Sequence, residues 1–337
     1  MRPLVSIIVP VFNVENYIKR CLLSIASQSY KGPIECIIVD DCGYDNSIKI
    51  CTDFISNYNG EIHFSIIHHQ QNKGLAAARN TGTLHSKGEY IYYIDSDDEI
   101  TPNCIALLVD ALEYHPNAEI VQGNIKALND SYNISRHITI DYIEDNNPWV
   151  RKQFYNIRNT FPVNAWNKLI KRNFIFQNKL FFMEGIIHED QQWMFHVTKV
   201  LRSIAFVFEP TYIHYITPNS IMSSLAQKKS DESWLKILED IYTSFDEPFY
   251  KEQLIKYTNE LIYHYNRDLS RYEELYKSYL LLLKKNRFYA NYFCTILSFH
   301  LLDLTKEYKK QYRIVYIVKK LFLTINRFET RKVSVQF

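Results

Sequence analysis

Glu89-Tyr90-Ile91-Tyr92-Tyr93-Ile94-Asp95-Ser96-Asp97-Asp98-Glu99 is an aromatic and β-branched run that breaks off into carboxylates. Tyr90 to Ile94 suits a buried strand. Three carboxylates at the end of an interior strand repel one another unless a cation sits among them. Hard cations such as Mg²⁺ or Mn²⁺ take oxygen ligands, usually one or two carboxylates together with substrate phosphates. An acidic turn wetted by solvent would give the same short pattern, so the surrounding sequence has to decide.

That surrounding sequence alternates strand and helix. Val5 to Val11 is almost wholly apolar, as in a parallel strand covered on both faces. Asn13 is placed to cap a helix running to about Ser27, with Ile18, Leu22 and Ile25 on one stripe. Ile34 to Val39 follows as a strand ending in Asp40-Asp41, and Asp45 is placed to cap the next helix. Ile62 to Ile67 reads as a third strand and Gly74 to Ser86 as an alanine-rich helix. Thr101-Pro102 supplies a cap and a first-turn proline for another helix, buried through Ile105, Leu108, Val109 and Leu112. Glu119 to Gln122 reads as a fifth strand. The pattern predicts an α/β fold, a doubly wound and mostly parallel sheet. Such sheets bind ligands at the carboxyl ends of their strands, where Asp40-Asp41 and Asp95-Ser96-Asp97 both fall.

The turn after the first strand, Pro10-Val11-Phe12-Asn13, lacks the glycines of a dinucleotide fingerprint. It also lacks the glycine-rich basic loop of a nucleotidyltransferase. Beyond residue 125 the pattern loosens. Ala127 to Asp145 is polar, a loop or a hairpin. Ile204 to Glu209 and Tyr212 to Ile216 are strand-like, and a helix with Met194, Val197 and Leu201 on its apolar face follows Glu189-Asp190. From about Ser230 helical stretches rich in Tyr, Leu and Lys take over, with a boundary near 225.

The 337 residues are 47% hydrophobic and 23% charged with a net charge of +2. That is a globular balance with no electrostatic argument for nucleic acid. Neither a secretory signal nor an apolar run of membrane-spanning length stands out, Phe288 to Leu304 being interrupted by Asn291, His300 and Asp303. The expected location is the cytoplasm. Cys21, Cys36, Cys42, Cys51, Cys104 and Cys294 are scattered without a Cys-x-x-Cys pair and read as free thiols.

Four ordered stretches together resemble family 2 of the glycosyltransferases, whose fold is GT-A. They are Val5 to Asn13, Ile38 to Asp41, Asn72-Lys73-Gly74-Leu75-Ala76-Ala77-Ala78-Arg79-Asn80-Thr81-Gly82, and Asp95 to Asp98. The resemblance is dense over residues 4 to about 120. It continues more thinly through Trp166-Asn167-Lys168-Leu169, Glu189-Asp190 and Ser220. It implies a GT-A domain over 1–225, with a nucleotide-binding half at 1–120 and an acceptor half at 121–225. Residues 226–337 would form a helical extension.

By this resemblance Pro10, Phe12, Asn13 and Asp41 hold the base and ribose of a nucleotide. Asp41 would accept the imide N–H of uracil, which favours a UDP-sugar. Asp95 and Ser96 would contact the ribose or sugar, and Asp97 would bind Mn²⁺ or Mg²⁺ across the phosphates. Asp190 would be the general base of an inverting transfer to a saccharide or lipid-linked saccharide acceptor in cell-surface polysaccharide biosynthesis. Arg79 and Asn80 would either contact phosphate or ribose, or close the helix onto the sheet. Asp40, Asn72, Gly74, Asp98 and Glu189 belong to the same stretches. Lys168 is a surface lysine unless the motif places it, Asp190 doubles as a helix cap, and His188 would lie behind it. His214 is a phosphate or metal contact or a structural histidine.

The chain departs from the family pattern at Cys42-Gly43-Tyr44 and in lacking arginines around Tyr212 to Ser220. A catalytically silent nucleotide-sugar-binding scaffold of the same fold would need no base. A C-terminal stretch carries Ile314, Val318, Leu321 and Ile325 on one side of a basic helix with Lys319, Lys320 and Arg327. It reads either as an anionic-membrane contact or as a helix docked on its own domain.

Overall fold

A computed structural model describes residues 2–126, 138–155, 162–215, 227–250 and parts of 252–285. The basic helix after Tyr312, the segment Phe288 to Leu304, Cys294, Ser220 and most of the polar stretch after Ala127 lie outside the described residues.

The chain divides into two compact units, Met1–Ser233 and Trp234–Phe337. The first is built on one mixed sheet of nine strands. Strands β1 (Val5–Val11), β2 (Ile34–Asp40), β3 (His63–His68) and β4 (Tyr90–Tyr93) form its parallel half in the order β3-β2-β1-β4. Every residue of β1 is buried, because helices cover both faces of the sheet. Helices α1 (Ile18–Ala26), α2 (Ser47–Ser56), α3 (Leu75–His85) and α4 (Cys104–Tyr114) follow β1, β2, β3 and the short β5 (Glu99–Ile100) in turn. Ile18, Cys21, Leu22 and Ile25 of α1 join Val5, Ile7, Val9 and Val11 in the main apolar core, with Ile105, Leu108 and Val109 of α4. The order reverses around β1, so the carboxyl ends of β1, β2 and β4 open onto one crevice.

Next to β4 the sheet changes character. β8 (Lys168–Lys171) runs antiparallel between β4 and β6 (Ile120–Lys126), and β9 (Ile204–Ile213) lies parallel to β6. β5 and β7 (Tyr142–Ile143) pair with β9 in antiparallel fashion. Helices α5 (Asn147–Phe154), α6 (Arg172–Gln177) and α7 (Glu189–Val200) complete this half. Its central fastening is Asn167, which is wholly buried with φ 59°. A left-handed backbone is tolerated best by Gly and Asn. Here the Asn167 side chain donates to the Asn124 carbonyl and accepts from the Thr211 and Tyr92 hydroxyls, tying β8 to β6, β9 and β4.

Several element ends differ from the sequence reading. Asn13 caps no helix: at φ 53° its side-chain oxygen accepts the Tyr44 N–H, and α1 begins at Ile18. Asp45 lies one residue before the N-cap of α2, where its two oxygens take the Ser47 and Glu15 N–H groups. Thr101-Pro102 forms a turn ahead of α4, whose N-cap is Asn103. The residues from Ile204 to Ile213 form one strand that crosses Pro210 at an irregularity of the β6 pairing.

In the second unit, helices α8 (Gln227–Thr243, beginning in the first unit) and α9 (Leu269–Lys285) are described. Tyr242, Phe245, Tyr257 and Tyr279 pack there with Leu238, Leu261 and Leu275. Among the described residues no helix is long and apolar enough to cross a membrane.

Candidate active site

The three strand-end carboxylates do three different things. Asp98 is fully buried. Its carboxylate accepts the Tyr212 hydroxyl at 2.7 Å, His214 Nδ1 at 3.1 Å and the Tyr215 N–H at 2.8 Å. Burial raises its pKa against those donors. It anchors the loop to β9, which answers the metal-ligand expectation: its oxygens are spent internally. The hydrogen bond to Asp98 in turn raises His214, against burial, and the imidazole stacks on Trp166, which stacks on Tyr212. Asp97 is half-buried, and its main-chain carbonyl takes the Arg20 guanidinium at 2.6 Å. Ser96 is buried.

Asp95 is claimed by Arg79. This arginine is only 3% exposed and lies on α3, whose start is set by Gly74 at φ 89°. Its two terminal nitrogens reach Asp95 Oδ1 at 2.8 Å and Glu189 Oε1 at 2.6 Å. Burial lowers its pKa, but the two carboxylates outweigh that and raise it. Arg79 therefore joins the end of β4 to the first turn of α7, rather than offering its charge to solvent. Asn80 closes the helix as well, bonding the Phe182 backbone through both its oxygen and its nitrogen and reaching Glu184.

Asp190 stands beside Glu189 in the first turn of α7. It is not the cap: that position is His188, left-handed at φ 64°, with Nε2 bonded to Ser230 Oγ at 3.0 Å. Burial lowers His188, and Glu189 opposes it. Burial and then the neighbouring Glu189 push Asp190 up to about 7, with Arg79 holding it down and Asp95 adding to the rise. A carboxylate poised near neutrality suits a general base. Lys168 is no surface lysine: it is 0% exposed, and burial lowers it to about 7 against the charge of Asp190.

The ends of β1 and β2 make a separate rim. Phe12 is 40% exposed and Tyr44 88% exposed, their rings edge to face at 6.1 Å, above the buried Pro10. Cys42, at φ 59°, is an exposed thiol beside them. Asp41 was expected to face uracil, yet it is 2% exposed. Its oxygens accept His69 Nδ1 at 2.7 Å and the Lys73 and Gly74 N–H groups at 2.8 Å. Its carboxylate shapes the loop leading into α3, and Asn72 donates to its carbonyl. Asp40 binds His68 and the Cys42 N–H. Sequence reading missed His69, which also bonds Thr81 on α3; its place at the carboxyl end of β3 was the available signal.

Among the described residues no three His, Cys, Asp or Glu side chains converge as a cation cage. Asp95 is bound to Arg79 and Asp98 to β9.

A sheet of this order with carboxylates at the end of β4 has the GT-A architecture. The solved structure of S. aureus TarS residues 1–349 in complex with UDP-GlcNAc superposes with a TM-score of 0.62 over 88% of this chain and 91% of that one, at 19% identity. The profile described as glycosyl transferase family 2 matches residues 6–186, and the chain belongs to that family. It is 34% identical over 244 residues to the putative glycosyltransferase EpsH of Bacillus subtilis, covering 70% of this chain and 67% of that one. It is 32% identical over 245 residues to glycosyltransferase GlyA of Streptococcus pneumoniae, covering 70% of this chain but spanning only 33% of that longer protein.

Proposed function

We propose that the protein transfers a sugar, with inversion, from a UDP-sugar to a saccharide or lipid-linked saccharide acceptor in cell-surface polysaccharide assembly. The observation that carries this reading is the Arg79 bridge, which sets Asp190 next to the strand-end carboxylates. Phe12, Asn13 and Tyr44 form the rim offered to the base, Asp41 and Asn72 shape it, and Ser96 and Asp95 border the ribose and sugar. Support for a uridine nucleotide comes from the UDP-GlcNAc bound by the TarS neighbour.

In the reaction Asp190 takes the acceptor hydroxyl proton. The acceptor oxygen attacks the anomeric carbon, and the bond to the donor phosphate breaks with its electron pair on UDP. Asp97 is the ligand proposed for Mn²⁺ or Mg²⁺, which would neutralise charge on the departing diphosphate. The test is a panel of UDP-sugars with Mn²⁺, scored by UDP release with and without acceptors. Binding of UDP without turnover of any pair would favour the silent scaffold. Asp97→Asn is expected to cost 10- to 100-fold in Mn²⁺-dependent UDP affinity by calorimetry, about the loss seen when a metal site is impaired. An unchanged affinity in the folded variant removes Asp97 from the site.

The same reading places the protein on the cytoplasmic face of a membrane, held by the basic stretch after Tyr312. Deleting residues 312–337 is expected to release it from anionic liposomes in a flotation assay while UDP binding persists. Full-length protein that ignores such vesicles at low salt sinks the idea.

A further inference from the structure

The turn that leads to Asp190 goes against two local preferences. Gly185 and His188 are both left-handed, at φ 75° and 64°. Glycine adopts that conformation freely, whereas a residue with a side chain does so at a cost and stays there only when its surroundings hold it. His188 is also the N-cap of α7, a position that ordinarily takes an extended backbone and a short side chain bonded to the helix. The His188 side chain makes no such bond. The first turn still hangs on this residue, because the Gln191 N–H donates to the His188 carbonyl at 3.1 Å. Asp190 lies between the two.

Helix α8 supplies what holds the turn. Ser230 and Ser233 are three residues apart, so their hydroxyls share one face of that helix. Ser233 is buried; its hydroxyl donates to the Lys229 carbonyl at 2.8 Å and its oxygen accepts the Ile187 N–H at 3.0 Å. Ser230 Oγ meets His188 Nε2 at 3.0 Å. Ile187 is thus fastened through its backbone and His188 through its ring, by two serines that belong to the first unit. From α3, Asn80 and Arg79 fasten the flanks of the turn at Phe182 and Glu189. We propose that Ser230 and Ser233 are positioning residues for the proton-accepting step, keeping His188 left-handed so that the first turn of α7 presents Asp190 to the acceptor hydroxyl.

This rests on Asp190 acting as the base. The serines exchange no proton with the substrate and act through geometry alone. If His188 relaxed to negative φ, the chain would enter α7 from another direction and carry Asp190 away. Misplacing a reacting group by about 1 Å can cost about 10²-fold in rate. The rim at Phe12 and Tyr44 is built on the ends of β1 and β2 and should not feel the change.

The experiment compares wild type with Ser230→Ala/Ser233→Ala. The double variant is expected to lose about 10- to 100-fold in kcat while UDP affinity stays within about twofold. Adding His188→Gly should restore most of that rate, because glycine holds a left-handed backbone without help. Serines that merely stabilised the fold would lower Tm and leave kcat unchanged, and that result overturns the proposal. A loss that glycine does not repair, or one that UDP affinity shares, overturns it as well. Should the double variant not fold, His188→Val decides, since a β-branched residue resists positive φ. Wild-type kcat in that variant refutes the proposal, and a low kcat with intact UDP affinity upholds it. Full transfer by Asp190→Asn would instead overturn the base, and this role with it. An inactive Asp190→Asn beside a fully active serine variant overturns only the role of the serines.

Discussion

Asp190→Asn is expected to lose about 10²–10⁴-fold in kcat, the usual worth of general-base assistance, while UDP binds as tightly as before. In the wild type the rate should climb with pH and level off above about 7, where Asp190 is ionised; the residual rate of the variant should lack that limb. Stability runs in the opposite sense. The folded protein raises Asp190 from an ordinary 3.8 to about 7, so it binds the proton more tightly than the unfolded chain does. The stabilisation this gives is complete below about 3.8 and is lost as pH rises to about 7. Asparagine removes that penalty, so the variant should melt no lower than wild type at pH 8. Transfer near the wild-type rate would remove Asp190 from the chemistry and point to Glu189 or Glu184.

Arg79→Met should be the most damaging single change to the fold of the first unit. It leaves Glu189 buried and Asp95 half-buried with their shared cation gone, the situation in which breaking a buried pair costs about 3–5 kcal/mol. For a unit of this size that is a fall in Tm of about 10 °C by calorimetry. Arg79→Lys should recover only part of it, because one ammonium cannot reproduce the forked reach to two carboxylates. A Tm within about 2 °C of wild type would show that Arg79 does not hold α7 to β4.

The parallel half of the sheet was legible because a strand covered on both faces must be mostly apolar, and β1, β2 and β4 are, with Ser6 and Glu35 the buried polar exceptions, bonded to each other. The carboxylates stood out because charges ending an apolar strand break its pattern, though the structure shows Asp95 paired with Arg79 and Asp98 bonded to β9. Their partners were not. Arg79 and Glu189 lie 110 positions apart, and no local pattern names an ion pair across that distance. Lys168 carries the pattern of any strand-end lysine, and its burial is decided by β4 and β6 closing on either side. The helix starts at Asn13, Asp45 and Thr101 were misjudged by a few residues for a related reason. Each of these side chains bonds a neighbouring loop as readily as a helix end, and tertiary packing chooses.

Of the five cysteines in the described residues, four are buried and only Cys42 faces solvent, on the left-handed turn between Phe12 and Tyr44. Buried thiols in apolar surroundings react slowly. The molecule thus carries its own attachment point for a maleimide dye at the rim proposed for the base, and a fluorescence change on adding UDP would report nucleotide arrival there without engineering a residue into the chain.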